Sequence, residues 1–296
     1  MGGKASALSF LDRHEDALKL IHETLELDPS NVWNTNEKGW INFRAQNHKD
    51  AIAAFKETLM KDELYRYAWY GLARVYEDQE NYAKALEAIV AALQIKQDVL
   101  YQGYHVYYLR TLERYGAANT AADMYLKDHP NNYNLITQKM WVMQGIDRID
   151  EAVEFIQEKL ANNPNDVSLI TKFITFLEEE MRWDEAIVET QKLIKLNEAD
   201  HQNYRDLAFY YQKLEQFDVC VQNAQIATEL KINWPWGYYY AAQCHLSIGD
   251  TAAAFAAIKA SVLNGLDADS RTSFAAELLG AGAPILATRL GLMRIR

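Results

Sequence analysis

Small residues recur along this chain at a fixed interval, and each opens a run of apolar residues at helical spacing. Ala17, Ala51, Ala85, Ala152, Ala186, Cys220 and Ala254 stand 34 positions apart, except for one step of 67 between Ala85 and Ala152. Ala121 falls inside that long step. Four residues after each comes the next position on the same helix face: Ile21, Phe55, Ile89, Tyr125, Ile156, Thr190, Ala224 and Ile258. Most are bulky and apolar, as a buried face requires. A period this regular predicts an all-α architecture of stacked helix–turn–helix units.

The segment ahead of each small residue carries its own pattern. Trp69, Leu72, Ala73 and Tyr76 lie at spacings that put all four on one helix face, and Tyr204, Leu207, Ala208 and Tyr211 repeat it. Tyr238, Ala241, Ala242 and His245 do so with smaller residues. Polar corners at 78–82, 213–217 and 247–251 separate the two helices of a unit. Pro29 and Pro164 each follow Asp or Asn, where a helix ends and a turn begins.

These residues resemble the tetratricopeptide repeat, whose pattern is W-x2-L-G-x2-Y, then A-x3-F, then P. Residues 66–99 are a good copy, with Trp69, Leu72, Ala73 in place of the usual Gly, Tyr76, Tyr82, Ala85, Ile89 and Ala92. The resemblance implies a right-handed α-solenoid with a concave groove lined by the first helix of each unit. About eight units are expected in residues 1–268, starting near 1, 32, 66, 102, 133, 167, 201 and 235. The first lacks most of its first helix, as if the chain began inside an array. The fourth is displaced and short, so irregular or hinged packing is expected there. Residues 269–296 read as C-terminal capping helices, one ended by Gly280–Gly282 and one opened by Pro284, with Arg289, Arg294 and Arg296 on the polar side. The alternative for this segment is a tail that docks on a partner or an anionic membrane surface.

Composition fits an ordered protein, 49% hydrophobic and 24% charged with five prolines. A net charge of −11 argues against nucleic acid, which needs a basic face. Residues 100–199 carry 16 acidic against 10 basic side chains, including Glu178–Glu179–Glu180. This reads as a solvated helix face or, more sharply, as a surface that steers basic partners. Cys220 and Cys244 form no CxxC pair, so neither a disulfide framework nor a zinc site is expected, and a cytoplasmic location fits. No apolar stretch is long enough for a membrane span, and the start lacks a signal-peptide core. Residues 1–6 fit the short pattern for myristoylation of Gly2, a pattern that chance often matches.

No phosphate loop, HExxH or GxSxG is present, and the seven histidines are scattered, so neither catalysis nor a metal or other cofactor is expected. What remains is the groove. The residues off the packing face of the first helices are Trp33, Asn36 and Trp40, then Tyr67, Tyr70 and Arg74, then Tyr104 and Tyr107 among the crowded Tyr101–Tyr108. Trp141 follows, and Trp236, Tyr239, Tyr240 and Gln243 serve the eighth unit. Aromatic residues suit binding because they bury much area at low entropy cost and carry a polar tip. Many could equally pack between helices.

Chaperone-binding members of the family hold a C-terminal carboxylate with Lys, Asn and Arg. The matching positions here are Asn36, Trp40, Gly71, Gly103 and Tyr107, or Thr171, Thr175, Asp206, Trp236 and Tyr240, so no such clamp is expected. The sequence therefore reads as a non-catalytic scaffold or adaptor that binds a peptide segment or protein. The alternatives are a structural subunit that self-associates through its ends and a regulatory module of a larger signalling or transferase system.

Overall fold

The structure, a computed structural model, describes residues 2–293, all helix and turn with no strand among them. The helices come in pairs. The first five are α1 (Gly2–Phe10) with α2 (His14–Leu27), α3 (Val32–Arg44) with α4 (His48–Lys61), α5 (Arg66–Asp78) with α6 (Tyr82–Ile95), α7 (Val99–Thr111) with α8 (Tyr115–Asp128), and α9 (Tyr133–Gly145) with α10 (Ile149–Asn162). The rest are α11 (Val167–Glu179) with α12 (Trp183–Leu196), α13 (His201–Lys213) with α14 (Phe217–Leu230), α15 (Pro235–Ser247) with α16 (Thr251–Leu263), and α17 (Ala268–Gly280) with α18 (Pro284–Gly291). The chain divides into two compact units, Met1–Lys159 and Leu160–Arg296, each a solenoid of stacked helix pairs.

Small residues set the approach of neighbouring helices. The fourth residue of each second helix is Ala17, Ala51, Ala85, Ala118, Ala152, Ala186, Cys220 and Ala254, all fully buried. The fourth pair therefore uses Ala118, with Ala122 on the next turn, where the sequence pointed to Ala121 and Tyr125. Its first helix starts at Val99 and not near residue 102. Three residues join α6 to α7, where four join each other pair to the next, so the fourth pair comes one residue early, 33 and not 34 after the third, while its helices keep their lengths. The last pair follows the same geometry, with Ala287 at the fourth position of α18. Arg294 and Arg296 lie outside the described residues.

The turns inside the pairs are uniform. Each has three residues, and the middle one takes the left-handed conformation: Asp12, Gln46, Glu80, Glu113, Asp147, Met181, Glu215, Gly249 and Gly282. Such a residue closes a helix by returning amides to its last carbonyls. In the second turn Asn47 N–H donates to the Asn42 carbonyl at 2.8 Å and Gln46 N–H to that of Phe43 at 3.0 Å. Only two of the nine are glycine. Between pairs, side chains of Asn31, Asn132, Asp166, Asp200 and Asp267 cap the next helix by accepting its early N–H groups.

Phe55 shows how ladder and groove are joined. It is fully buried, and Gly39 of α3 and Gly71 of α5 lie against its ring with no room for a Cβ on either. Gly71 thus serves packing.

The cysteines correct the sequence-based expectation. Cys220 of α14 and Cys244 of α15 form a disulfide, with Cα atoms 5.7 Å apart and both side chains buried. Spacing rules look for near neighbours. Here a ladder position on one helix meets the next helix across 24 residues of chain. Disulfides persist in oxidising compartments, so the pair also weighs against the reducing environment expected.

Candidate functional site

The first helices of unit 1 carry a continuous series of aromatic rings. Trp40 of α3 lies 5.7 Å from Tyr70 of α5, centroid to centroid. Tyr70 lies 5.2 Å from Tyr101 and 5.5 Å from Tyr104, both on α7. Tyr104 continues to Tyr108 at 5.7 Å, and Tyr108 to Tyr107 at 5.4 Å. Helical spacing brings Tyr101, Tyr104 and Tyr108 to one side of α7. The offset and tilted contacts are those favoured by the ring quadrupole.

A charged pair organises the centre of the series. The Arg74 guanidinium sits 5.0 Å above the Tyr104 ring and donates to its hydroxyl. It also pairs with Glu77, one turn further along α5, at 3.1 Å. Glu77 in turn accepts the Tyr108 hydroxyl proton at 2.8 Å. Burial pushes the Tyr101 hydroxyl up to about 12 and raises Tyr104 and Tyr108 as well, so all three stay protonated donors. Glu77, Gly103, Tyr104, Tyr107, Asn134 and Gln138 line a cavity of about 220 Å³ beside this network. Gly103 faces the Asn134 side chain so closely that a Cβ would collide with it.

The structure brings some of the expected residues together and separates others. Trp40, Tyr70, Arg74, Tyr104 and Tyr107 belong to this one surface, half-buried. Tyr67 is exposed at the start of α5, where Arg66 covers its ring at 4.4 Å. Trp33 is exposed at the start of α3 and packs against Gly2. Asn36 is buried, and its side-chain oxygen has no hydrogen-bond partner. Trp141 is half-buried on α9. Glu77, Asn134 and Gln138 were missed. Glu77 stands three residues after Arg74, a spacing that could have found it. The polar pair on α9 gives no signal without the packing of α7 on α9.

Unit 2 has a smaller aromatic group. Trp236 meets Tyr239 at 5.6 Å, Tyr239 meets Tyr240 at 5.9 Å, and Tyr240 meets Phe209 at 6.4 Å. Gln243 donates weakly to the Tyr239 hydroxyl at 3.4 Å. Trp236 is exposed, and the other three are half-buried. The Trp69–Leu72–Tyr76 face is not wholly enclosed. Leu72 is buried, but all three line an apolar hollow of about 610 Å³ with Leu59 and Met60.

Residues 3–63 and 36–98 match the family described as Tetratricopeptide repeat. No curated protein sequence matches the chain significantly. Among solved structures, the fold is similar to that of a tetratricopeptide repeat protein from Parabacteroides merdae, at 13% identity and a TM-score of 0.54, covering 87% of this chain and 98% of that one. It is also similar to yeast Tom70, at 14% identity and a TM-score of 0.59, covering 95% of this chain and 63% of that one. At these identities the likeness is one of fold.

Proposed function

We propose that this chain, whose residues 3–98 match the tetratricopeptide-repeat family and whose fold is similar to that of a solved tetratricopeptide-repeat protein, is a non-catalytic adaptor that binds a peptide segment of a partner protein along the aromatic surface of unit 1. The observation that carries this reading is the unbroken ring series from Trp40 through Tyr70 and Tyr104 to Tyr107, with Arg74 fixed at its centre. Half-buried rings offer area without needing to be ordered on binding, which lowers the entropic cost of association. Tyrosine hydroxyls along the surface add hydrogen-bonding groups for a peptide backbone. An extended or helical segment with apolar anchors fits this surface.

A chaperone tail ending in a carboxylate is a poor ligand for it. Gly71 and Gly103 occupy two of the clamp positions, each pressed against a neighbouring side chain. Arg74 is already engaged by Glu77.

The test is a pull-down from the native host with wild type and with Tyr70→Ala/Tyr107→Ala. Partner recovery should fall about tenfold, the loss of two ring contacts, while far-ultraviolet circular dichroism stays near wild type. Equal recovery would remove the groove assignment. A second reading, self-association, draws on the exposed Leu279 and Ile285 of the last helix pair. Light scattering at high concentration separates the two, since a strict monomer is incompatible with assembly.

A further inference from the structure

The apolar hollow of about 610 Å³ over Trp69 is a trough with α5 as its floor. Connections of four and three residues make α4, α5 and α6 successively antiparallel, so α4 and α6 run in the same direction and form the two banks. Trp69, Leu72 and Tyr76 span the floor, two helical turns or about 10 Å. Leu59 and Ala88 line it from the banks, and Met60 stands at its edge, 87% exposed. A continuous apolar patch rimmed by polar residues marks an interaction surface, and methionine at its edge adapts to varied apolar partners.

This hollow is not a by-product of the repeat. Tyr204, Leu207 and Tyr211 rebuild the same floor on α13, but there Lys195 takes the position of Met60 and Asn223 that of Ala88. The apolar banks at Trp69 therefore come from the residues placed there and not from stacking itself. Charge is also divided along the trough. The Lys84 ammonium lies 5.5 Å from the Tyr76 ring, and Lys56 stands one turn before Met60 on the other bank, so the Tyr76 end is cationic. The Trp69 indole N–H donates to the Glu63 carbonyl at 3.2 Å, and Glu87 lies beyond Lys84 toward the same end, so the Trp69 end is anionic. All four charged residues are exposed.

We propose that the hollow receives the apolar face of an amphipathic helix from a partner protein, with two large apolar side chains one turn apart on the floor, an acidic residue at the Tyr76 end and a basic residue at the Trp69 end. Two banks that run in one direction hold a further helix between them, the helix-in-groove mode of recognition. Acid first and base last is the order that suits a helix's own dipole. The partner helix therefore runs from the Tyr76 end to the Trp69 end, antiparallel to α5. The apolar floor supplies the affinity, and the exposed charges, individually weak, set the direction. Trp69 and Tyr76 occupy a different face of α5 from Tyr70 and Arg74, so this surface does not depend on the aromatic one.

The test uses the full chain and a fluorescein-labelled fifteen-residue helical peptide of alanine and glutamine. On one face it carries glutamate, leucine, leucine and lysine in that order, each three or four residues after the last. One control exchanges the glutamate and the lysine, and a second replaces both leucines with glutamine. Fluorescence anisotropy in low salt should show the first peptide binding at least about fivefold more tightly than the exchanged one, and at least about tenfold more tightly than the leucine-free one. Lys84→Glu/Glu87→Lys should reverse the preference between the first two, a result that loss of folding cannot produce. Met60→Lys and Ala88→Asn, each copying the residue at the matching place in unit 2, should weaken binding by about threefold to tenfold. Lys172→Glu, at an exposed position of α11, should change little. Tyr70→Ala/Tyr107→Ala should leave this binding intact, so failure of either surface is seen separately. No measurable binding of the first peptide, equal binding of the exchanged one, or an unaltered preference in Lys84→Glu/Glu87→Lys would overturn the proposal. So would a wild-type dimer that Met60→Lys dissociates in light scattering, which would assign the hollow to a second copy of this chain.

Discussion

Breaking the Cys220–Cys244 bond should loosen unit 2 by an amount its loop length sets. The two cysteines are 24 residues apart, and they tie the ladder position of α14 to α15. Closing a loop of that size in the unfolded chain removes entropy worth about 3.5 kcal/mol at 25 °C in the chain-entropy description. Each sulfur is buried, so the Cys220→Ala/Cys244→Ala variant adds only a small packing loss at a site that already favours alanine in the other pairs. For a unit of this size the entropy loss alone corresponds to a fall in melting temperature of roughly 10 °C. The assay is a thermal melt of oxidised protein, reduced protein and the double variant, with hydrogen exchange followed on peptides from residues 217–247. Reduced protein and the variant should melt together, well below the oxidised form, and faster exchange should concentrate in α14 and α15. The reasoning fails if the oxidised native protein titrates with two free thiols on denaturation, or if reduction leaves the melting temperature unchanged.

Three further outcomes follow from packing, backbone and charge. Ala85→Leu should destabilise the chain by roughly 1–3 kcal/mol, because a fully buried helix contact has no space for a larger side chain; an unmoved urea midpoint would undercut the ladder as a core feature. Met181→Gly should raise stability by up to about 1 kcal/mol, since Met181 holds φ at 54° in an exposed turn where glycine meets no steric penalty; a lower melting temperature would show that the penalty is smaller than the added entropy of the unfolded chain. Asp206 titrates near 6 in the fold and near 3.8 when unfolded, so its contribution is most favourable at low pH and is lost as pH rises through about 4 to 6. The stability of Asp206→Asn relative to wild type should therefore increase by about 2–3 kcal/mol from pH 3.5 to 7.5, and a difference that stays flat across that range would contradict the burial of this carboxylate.

The disulfide ties α14 to α15, the helix that also carries Tyr239 and Tyr240, so redox conditions should affect that aromatic group more than the one in unit 1.

The sequence alone determined the helix pairs, their period and the small-residue contact between them. Those features come from neighbours within one or two helical turns, and a 34-residue repeat states them many times over. It also pointed to the right helices for an aromatic surface, because helical spacing gathers Tyr101, Tyr104 and Tyr108 on one side without help from other elements. Tertiary structure decided what depends on how one helix lies against the next. Ala118 takes the contact position because one loop residue is missing before Val99, which places it 33 and not 34 residues after Ala85. Asn36 sits buried while Tyr70 and Arg74 line the surface, since neighbouring helices, and not the helix itself, choose which flank is covered. Cys220 meets Cys244, and Glu178 meets Tyr210, across distances in sequence at which no local pattern operates. Only the stacking of the pairs brings those side chains within reach.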